Sequence, residues 1–432
     1  MPRIVIPYTK GGGGHRGAAN AMREVIARQE RQWQVELLDV DKLLRPLDPF
    51  YWMFRIEGCE IYNWLLRQGW TFGSELLIRI MQAEYRIVHP FQVWIFRRLW
   101  RELKPDLVLS VMPHINRAIF DSLRQKSSAT PTPLVTLLTD IADLPPRYWF
   151  EPQDQHYICG SDRAIEQGRA IAGPGSRLWR VSGMVIHPKF YEPETGAHEV
   201  LRKELGLDPD LPTGMVLFGG YGSKKMIEIA RQVAEARTPV QLIFLCGRNR
   251  KLAAKLRAMK LPFPAHVQEF TDDVVSFMRL CHFFIGKPGP ASISEALAMR
   301  LPVIVQDSAL MTLAQERYNA RWLVDQGFGI AVKHIRDFPQ AIIRLLDPAI
   351  YAEIRRRIGT VSNRAVFEVP DIIEQISRQL GLSQERSSRL YELAAADTYR
   401  RDTPAASMRT EIAPWRRDKS DDLTAARSRT ED

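Results

Sequence analysis

The chain contains few cysteines, and their spacing argues against a metal or redox site. Its 432 residues include Cys59, Cys159, Cys246 and Cys281, which lie too far apart for a zinc or dithiol motif. No run of about 18 apolar residues is present, so we expect no transmembrane helix. The N-terminal residues MPRIVIPYTK lead directly into a predicted strand, and we expect no signal peptide. These features favour a reducing, cytoplasmic location.

The net charge is strongly positive, yet the signatures of nucleic-acid-binding domains are missing. The formal charge is +10, with 45% hydrophobic and 25% charged residues, and the length suits two globular domains. An excess of positive charge predicts an anionic partner, such as a nucleotide or an anionic membrane. Because no zinc-finger spacing, basic zipper or aromatic RNP strand occurs, we expect no nucleic-acid partner.

The stretch HFFIGKPGPASISEALAMRL, residues 282–301, reads as strand, loop and helix. A glycine-containing loop that opens a helix directs free backbone N–H groups and a positive dipole end at a ligand, and a diphosphate suits such a site. The alternative is an ordinary capped surface helix, since Ser292 and Glu295 have the spacing of a capping box.

Two further glycine loops follow predicted strands. Residues 3–8 read as a strand, with GGGG at 11–14 and a helix from about 16 to 31, and residues 215–218 precede Gly219 and Gly220 in the same way. Glycine lets a backbone approach a ligand closely, although each loop could also be a tight turn without one. Asp140 ends a short apolar strand, where open α/β sheets bind ligands, or else it caps a loop.

Residues 45–104 combine tryptophan and arginine in amphipathic patterns. Five of the ten tryptophans fall here, including Trp64 and Trp94, with arginines such as Arg97 and Arg98 between them. Such helices are typical of proteins that bind a membrane surface. The alternative is a set of ordinary helices packed on a sheet, because core aromatics give the same pattern.

Six motifs, in the right order, carry a resemblance to a known family, and four of them are the most specific. GGGGHRGAA, TLLTDIADLPPRYWF, CGRN and GKPGPASISEAL occur in this order, and the resemblance spans residues 3–380. They are similar to motifs of the monogalactosyldiacylglycerol synthases and of the lipid-linked N-acetylglucosaminyltransferase of peptidoglycan synthesis. The resemblance implies an α/β protein of the GT-B class, with two Rossmann-like βαβ domains facing across a cleft. It also implies a UDP-sugar donor and a lipid acceptor.

The resemblance also implies roles for individual residues. Glu295 would take the donor's ribose hydroxyls, the backbone at Phe270 and Thr271 would read the base, and Gln315, Glu316 and Asn319 would face the sugar. The remaining implied donor-binding residues are Gly219, Gly220, Gly247, Arg248, Lys287, Pro288, Gly289, Pro290, Ala291 and Ser292. Gly12, Gly13 and Gly14 would form the acceptor-side phosphate loop. Trp64, Trp94, Arg97 and Arg98 would contact the membrane.

His15 and Asp140 are the candidates for the general base. His15 lies at a predicted helix start, where the positive dipole end keeps an imidazole neutral. Asp140 is the alternative base, or the partner that orients His15. One departure from the family concerns this region, because Pro145 and Pro146 stand where a His-Pro pair is expected. Any role of that family histidine is therefore in doubt.

Together with the sequence features, the resemblance implies an inverting hexosyltransferase that peripherally binds an anionic membrane and uses a lipid acceptor, diacylglycerol above all, without a cofactor or metal ion. Residues 1–182 would form an acceptor- and membrane-facing domain, joined by a returning helix at 366–380. Residues 183–365 would bind the UDP-sugar, and the polar residues 382–432 would form a disordered tail. The alternatives are a soluble UDP-sugar 2-epimerase and a non-catalytic membrane protein that binds nucleotide sugars.

Overall fold

The computed structural model describes residues 1–11, 13–58, 60, 74–124, 131–193, 198–308 and 312–381. Three predictions lie outside the described residues: the phosphate-loop residue Gly12, the membrane residue Trp64 and the tail at 382–432. Within the described residues, the chain forms two lobes, each built on a parallel sheet of six strands.

The N-terminal sheet contains strands β1 Arg3–Tyr8, β2 Gln34–Asp39, β3 Leu107–Ser110, β4 Leu134–Leu137, β5 His156–Cys159 and β6 Arg177–Arg180. Their spatial order is β2-β1-β3-β4-β5-β6, and all neighbours are parallel. Every residue of β3 and β4 is buried, because helices cover both faces of a parallel sheet. The helices of this lobe are α1 Gly14–Arg28, α2 Val40–Leu44, α3 Pro49–Phe54, α4 Ser74–Leu103, α5 Asn116–Leu123 and α6 Asp162–Ile171, with a 3-10 turn at Arg45–Leu47.

The C-terminal sheet repeats this design with strands β7 Thr213–Leu217, β8 Gln241–Leu245, β9 Ala265–Gln268, β10 Phe283–Gly286, β11 Val303–Gln306 and β12 Gly329–Val332. Its order is β12-β11-β10-β7-β8-β9, again parallel throughout. Its helices are α7 His198–Glu204, α8 Lys225–Glu235, α9 Arg250–Arg257, α10 Val274–Arg279, α11 Pro290–Ala298, α12 Arg317–Asp325, α13 Phe338–Leu345 and α14 Pro348–Gly359. Further 3-10 turns occupy Pro188–Tyr191, Ala314–Glu316 and Ile335–Asp337.

The last described helix, α15 Ala365–Gln379, returns to the N-terminal lobe. Its apolar face joins the buried cluster around α1 through Val366, Val369, Ile373 and Ile376. On the rim, Arg31 forms ion pairs with two acidic residues of α15, Asp371 and Glu374. The N-terminal core is therefore built from both ends of the described chain.

The helix α11 begins earlier than the sequence pattern predicts. Gly289 is its N-cap and Pro290 its first residue, because the fixed φ of proline suits the first helical position. Ser292 lies inside the first turn, and its hydroxyl donates to the Gly289 carbonyl oxygen at 3.2 Å. The capping box of Ser292 and Glu295 is therefore wrong, since no side chain caps this helix.

The aromatic residues of α4 divide between core and surface. Phe96 and Trp100 are buried, and Trp100 Nε1 donates to Ser122 Oγ at 2.8 Å. Phe91 and Trp94 are each 61% exposed. The packed-helix interpretation therefore holds for Phe96 and Trp100, whereas membrane contact by the exposed residues stays a prediction.

Candidate active site

A large cleft lies between the two sheets and receives residues from both lobes. Its volume is about 1120 Å³. The N-terminal lobe contributes the start of α1, the ends of β3 and β4 and part of α4, while the C-terminal lobe contributes its glycine loops and the start of α11. The carboxyl ends of parallel strands thus meet across one cavity, as the GT-B resemblance implies.

His15 lines this cleft as the second residue of α1. The N-cap of this helix is Gly13, whose φ of 88° places it in the left-handed region. His15 Nδ1 lies 2.8 Å from the Val111 carbonyl oxygen and 3.1 Å from Thr139 Oγ1. Because a carbonyl oxygen only accepts, we assign the ring proton to Nδ1. Nε2 then carries a lone pair, and no hydrogen bond engages it within the described part of the chain.

The environment of His15 keeps its ring neutral. Burial lowers the pKa of His15 to about 4, against the opposing effect of the Val111 hydrogen bond. Burial, rather than the helix dipole expected from sequence, is the main cause of this shift. A neutral imidazole with an available Nε2 is the form that accepts a proton from a hydroxyl group.

Asp140 follows β4 and also lines the cleft, but its hydrogen bond goes elsewhere. Trp149 Nε1 donates to Asp140 Oδ2 at 2.9 Å. Burial raises the pKa of Asp140 to about 7, and the Trp149 hydrogen bond opposes that change. The orienting contacts of the His15 ring come from Val111 and Thr139 instead.

Asp143 organises the loop in which two prolines replace the expected His-Pro pair. Its carboxylate accepts backbone N–H bonds from Arg147, Tyr148 and Trp149, at 2.7–2.9 Å. This fixes the Trp149 ring beside Asp140. The sequence reasoning missed Asp143, although an aspartate shortly before a Pro-Pro turn is a signal for such backbone capping.

Two glycine loops of the C-terminal lobe hold one another in place. Gly219 and Gly247 have φ of 74° and 56°, and the Arg248 N–H donates to the Gly220 carbonyl oxygen at 3.0 Å. A Cβ atom on Gly247 would lie 2.2 Å from that oxygen, so only glycine fits there. Beside these loops, the Arg248 guanidinium stacks 4.2 Å from the centre of the Phe270 ring.

The loop before α11 is fixed by polar contacts from α12 and the residues before it. The buried Asn319 donates through Nδ2 to the Pro288 carbonyl oxygen at 2.9 Å. Lys287 Nζ lies 2.5 Å from Glu316 Oε1, which is almost fully buried. These contacts hold the loop in position, and the first-turn N–H groups of α11 lack partners within the helix itself.

Glu295 projects into the cleft from α11 and is half-buried. Burial raises the pKa of its carboxyl group to about 7. None of the described residues donates a hydrogen bond to this carboxyl group. It is therefore available to a ligand.

The structure gathers most of the predicted site residues around this one cleft. Those that line it are Gly13, Gly14, His15, Asp140, Gly219, Gly220, Gly247, Phe270, Thr271, Lys287, Gly289, Pro290, Ala291, Ser292, Glu295, Gln315 and Glu316. Arg248 and Pro288 do not line the cleft. Arg248 stacks on Phe270, which does, and the Pro288 carbonyl oxygen accepts a hydrogen bond from Asn319. Among the described residues, no group of three His, Cys, Asp or Glu side chains is placed to hold a metal ion.

The three predicted membrane residues that the structure describes, Trp94, Arg97 and Arg98, lie on α4 and do not line the cleft. Trp94 is exposed, Arg97 donates to the Asp121 carbonyl oxygen at 3.3 Å, and Arg98 lies 3.8 Å from Glu102. No helix in the described ranges is long and apolar enough to cross a membrane.

Two family models match the chain, one in each lobe. The monogalactosyldiacylglycerol (MGDG) synthase model matches residues 15–186, and the glycosyltransferase family 28 C-terminal domain model matches residues 215–376. The first match includes His15 and Asp140, and the second includes the glycine loops and Glu295.

Curated relatives carry the same family name. The chain is 29% identical over 300 residues to probable monogalactosyldiacylglycerol synthase 3 of Oryza sativa subsp. japonica, covering 67% of this chain and 58% of the rice protein. It is 27% identical over 399 residues to monogalactosyldiacylglycerol synthase 1 of Arabidopsis thaliana, covering 88% of this chain and 72% of that protein.

Solved structures share the fold at low identity. MurG of Acinetobacter baumannii matches with a TM-score of 0.54 and 14% identity, over 87% of this chain and all of that one. The MnaA–UDP structure from S. aureus matches with a TM-score of 0.56 and 14% identity, over 88% of this chain and 98% of that one. At such identities the likeness concerns the fold alone.

Two parallel-sheet lobes around one cleft, with these matches, define a glycosyltransferase of the GT-B class. The fold predicted from the motifs is thereby confirmed. Within that class the chain is similar to the monogalactosyldiacylglycerol synthases, so the family resemblance is confirmed as well.

Proposed function

We propose that this protein transfers a hexose from a UDP-sugar to diacylglycerol at a membrane surface, with inversion at the anomeric carbon. One observation carries the proposal: a neutral His15, with Nε2 available, shares a single cavity with the loop-and-helix unit of α11. A glycosyl transfer needs a base for the acceptor and a stabilised leaving group for the donor, and the two lobes supply one each.

The donor half of the proposal rests on the C-terminal lobe. Backbone N–H groups at the start of α11 and the Lys287 ammonium suit a diphosphate, whose negative charge grows as the sugar leaves. The Glu295 carboxylate suits two vicinal ribose hydroxyls, since it has no hydrogen-bond donor among the described residues. Gln315 and Glu316 line the cleft next to Lys287 and suit the sugar hydroxyls.

The chemical step uses His15. Its Nε2 takes the proton of the acceptor hydroxyl while that oxygen bonds to the anomeric carbon and the bond to UDP breaks. The Nδ1–H bond to Val111 holds the ring in the required tautomer throughout. Attack from the face opposite UDP inverts the configuration. We propose that this step proceeds without a metal ion, and chelation by EDTA should then leave the rate unchanged.

The acceptor half rests on α4, which borders the cleft on one face and exposes apolar residues on another. Glu84, Tyr85, Val88 and Gln92 line the cleft, whereas Ile87, Phe91 and Trp94 project outward with 61–76% of their surface exposed. The exposed residues follow the helical spacing i, i+4, i+7, so they form one continuous stripe. An apolar stripe behind the wall of the cleft suits an enzyme that draws a lipid from the bilayer.

A direct assay tests the proposal. The full chain is incubated with radiolabelled UDP-galactose, UDP-glucose or UDP-N-acetylglucosamine and vesicles of anionic phospholipid, with and without diacylglycerol. We expect label in the lipid phase only when diacylglycerol is present, and at a rate about 10²- to 10⁴-fold lower with a His15→Ala variant. Epimerised UDP-sugar without lipid product would favour the epimerase alternative. Donor binding without any product would favour a non-catalytic binding protein.

A further inference from the structure

His114 lines the acceptor side of the cleft, and the sequence motifs do not point to it. It follows β3 and has a φ of 64°, which places a non-glycine residue in the left-handed region. Such backbone strain concentrates at functional sites, although histidine tolerates this region better than most residues. The Tyr148 carbonyl oxygen accepts the His114 N–H at 3.0 Å, which ties this residue to the Pro-Pro loop.

The imidazole of His114 is held rigidly between two aromatic rings. It stacks on Tyr85 of α4, with a centroid separation of 5.7 Å and an interplanar angle of 15°. It also meets Tyr148 edge-on at 4.1 Å and 88°. These contacts fix the direction of both ring nitrogens before a ligand arrives, so a hydrogen bond formed here needs little further ordering.

The polar atoms of this ring have no partner in the described chain. His114 Nδ1 is buried without a hydrogen bond. No hydrogen bond engages Nε2 within the described ranges either, although the ring lines the cleft. Burial, and to a lesser degree electrostatic repulsion from a protonated His15 at low pH, lowers the pKa of His114 to about 3, so the ring is neutral at pH 7.

A neutral imidazole carries one N–H group. The free-energy cost of burying an unpaired N–H group decides which ring nitrogen holds the proton. A buried N–H without an acceptor is more unfavourable than a buried lone pair without a donor. The proton therefore belongs on Nε2, the ring nitrogen that is not buried. His114 then presents one N–H donor to the acceptor side of the cleft, near the His15 base.

We propose that His114 binds the lipid acceptor by donating a hydrogen bond from Nε2 to an ester carbonyl oxygen. This inference rests on the proposed function, because diacylglycerol carries ester carbonyls next to its single reactive hydroxyl. His114 would thus orient that hydroxyl toward His15 and make the enzyme prefer ester-linked over ether-linked glycerolipids. A dialkylglycerol has the same hydroxyl and chains but lacks the carbonyl oxygens.

The test compares two acceptors and four proteins. Values of kcat/KM are measured for dioleoylglycerol and its dialkyl ether analogue in the same vesicles, at saturating UDP-sugar. The wild type should prefer the ester by about 3- to 10-fold, the range of one neutral hydrogen bond. His114→Phe keeps the stacked ring without its nitrogens, and His114→Asn tolerates the left-handed backbone but cannot reach the Nε2 position.

Both His114 variants should turn over the ester no faster than the wild type turns over the ether, and should show no preference between the two. His89→Phe is the matched control, since His89 lies on α4, pairs with Asp121 and does not line the cleft. It should retain the wild-type preference. Unchanged donor affinity and unfolding midpoint would confirm that the variants are folded.

Three outcomes overturn the inference. A wild type that does not distinguish ester from ether would remove it, and so would a folded His114 variant that keeps the preference. Should either variant fail to fold, the other and the wild-type comparison still decide. If the wild type transferred sugar to neither lipid, the proposed function itself would fall, which separates that failure from the loss of His114's role alone.

Discussion

Burial shifts the pKa values of the two acid–base candidates in the cleft, His15 and Asp140, in opposite directions. It lowers the pKa of His15 to about 4 and raises the pKa of Asp140 to about 7, because a low-dielectric site favours the neutral form of each group. A general base must be unprotonated. His15 meets this condition at any pH well above 4, whereas Asp140 meets it only above about 7.

The pH dependence of the reaction therefore separates the two candidates. With His15 as the base, kcat/KM for the acceptor should stay level from pH 8 down to about 5 and then fall toward pH 4. With Asp140 as the base, it should already halve near pH 7. The profile is measured by initial rates at saturating donor, with unfolding monitored at each pH.

Substitutions at the same two residues give an independent check. His15→Ala should lower kcat by about 10²- to 10⁴-fold with nearly unchanged donor affinity, as the loss of a general base requires. Asp140→Asn keeps an oxygen that accepts from Trp149 and should retain far more activity. A nearly normal His15→Ala enzyme beside an inactive Asp140→Asn enzyme would assign the base to Asp140.

Glu295 offers a second prediction at the scale of one residue. At pH 8, where most Glu295 carboxyl groups are ionised, Glu295→Ala should raise the KM for the UDP-sugar by an amount equivalent to about 1.5–3 kcal/mol, because the ribose would lose a charged acceptor. Thermal unfolding should change little, since no cap of α11 depends on this side chain. Lost stability with unchanged donor KM would instead assign Glu295 a structural role. Glu235→Ala, at the end of α8, serves as a helix-surface control.

At the scale of elements, α4 carries the prediction about membranes. Substituting Ile87, Phe91 and Trp94 together by Gln should weaken sedimentation with anionic vesicles by tenfold or more, since each buried apolar side chain contributes about 1.5–3 kcal/mol. Arginines near the membrane surface add an electrostatic contribution to vesicle binding, which salt weakens. Donor affinity should remain unchanged, because these side chains do not line the cleft.

A matched control uses exposed apolar residues of the other lobe. Val200, Val324 and Ile343 are 45–61% exposed, and replacing them by Gln also removes three exposed apolar side chains, far from α4 in sequence. This control should bind vesicles like the wild type. Equal binding by both triple variants and the wild type would contradict the role of the α4 stripe.

The glycine loops could be predicted from sequence because their signals are local. A short apolar run, then glycine, then an amphipathic helix specifies a βα unit without knowledge of the rest of the fold. The division of α4 into buried and exposed faces could not be predicted, since Trp94 and Trp100 cannot be told apart in sequence until the position of the sheet is known. His114 was missed for a related reason: its value lies in contacts with Tyr85 and Tyr148, which are distant in sequence.

At the scale of the molecule, α15 makes the N-terminal lobe depend on the far end of the chain. Ile373 is fully buried against the α1 cluster, whereas Leu380 is 44% exposed. Ile373→Ala should lower the free energy of unfolding by about 2–5 kcal/mol, and Leu380→Ala by less than about 0.5 kcal/mol. Urea unfolding measures both, and equal effects would show that α15 does not stabilise this core.

The return of α15 also has a consequence for how the protein is made. The N-terminal sheet is complete at Arg180, but α15 begins only at Ala365. At roughly 5–20 residues per second, a ribosome needs about 10–40 s to synthesise the 184 residues between them. During that interval the nascent lobe exposes the apolar surface that α15 will cover. Chaperones should therefore engage the growing chain there until its last helix emerges.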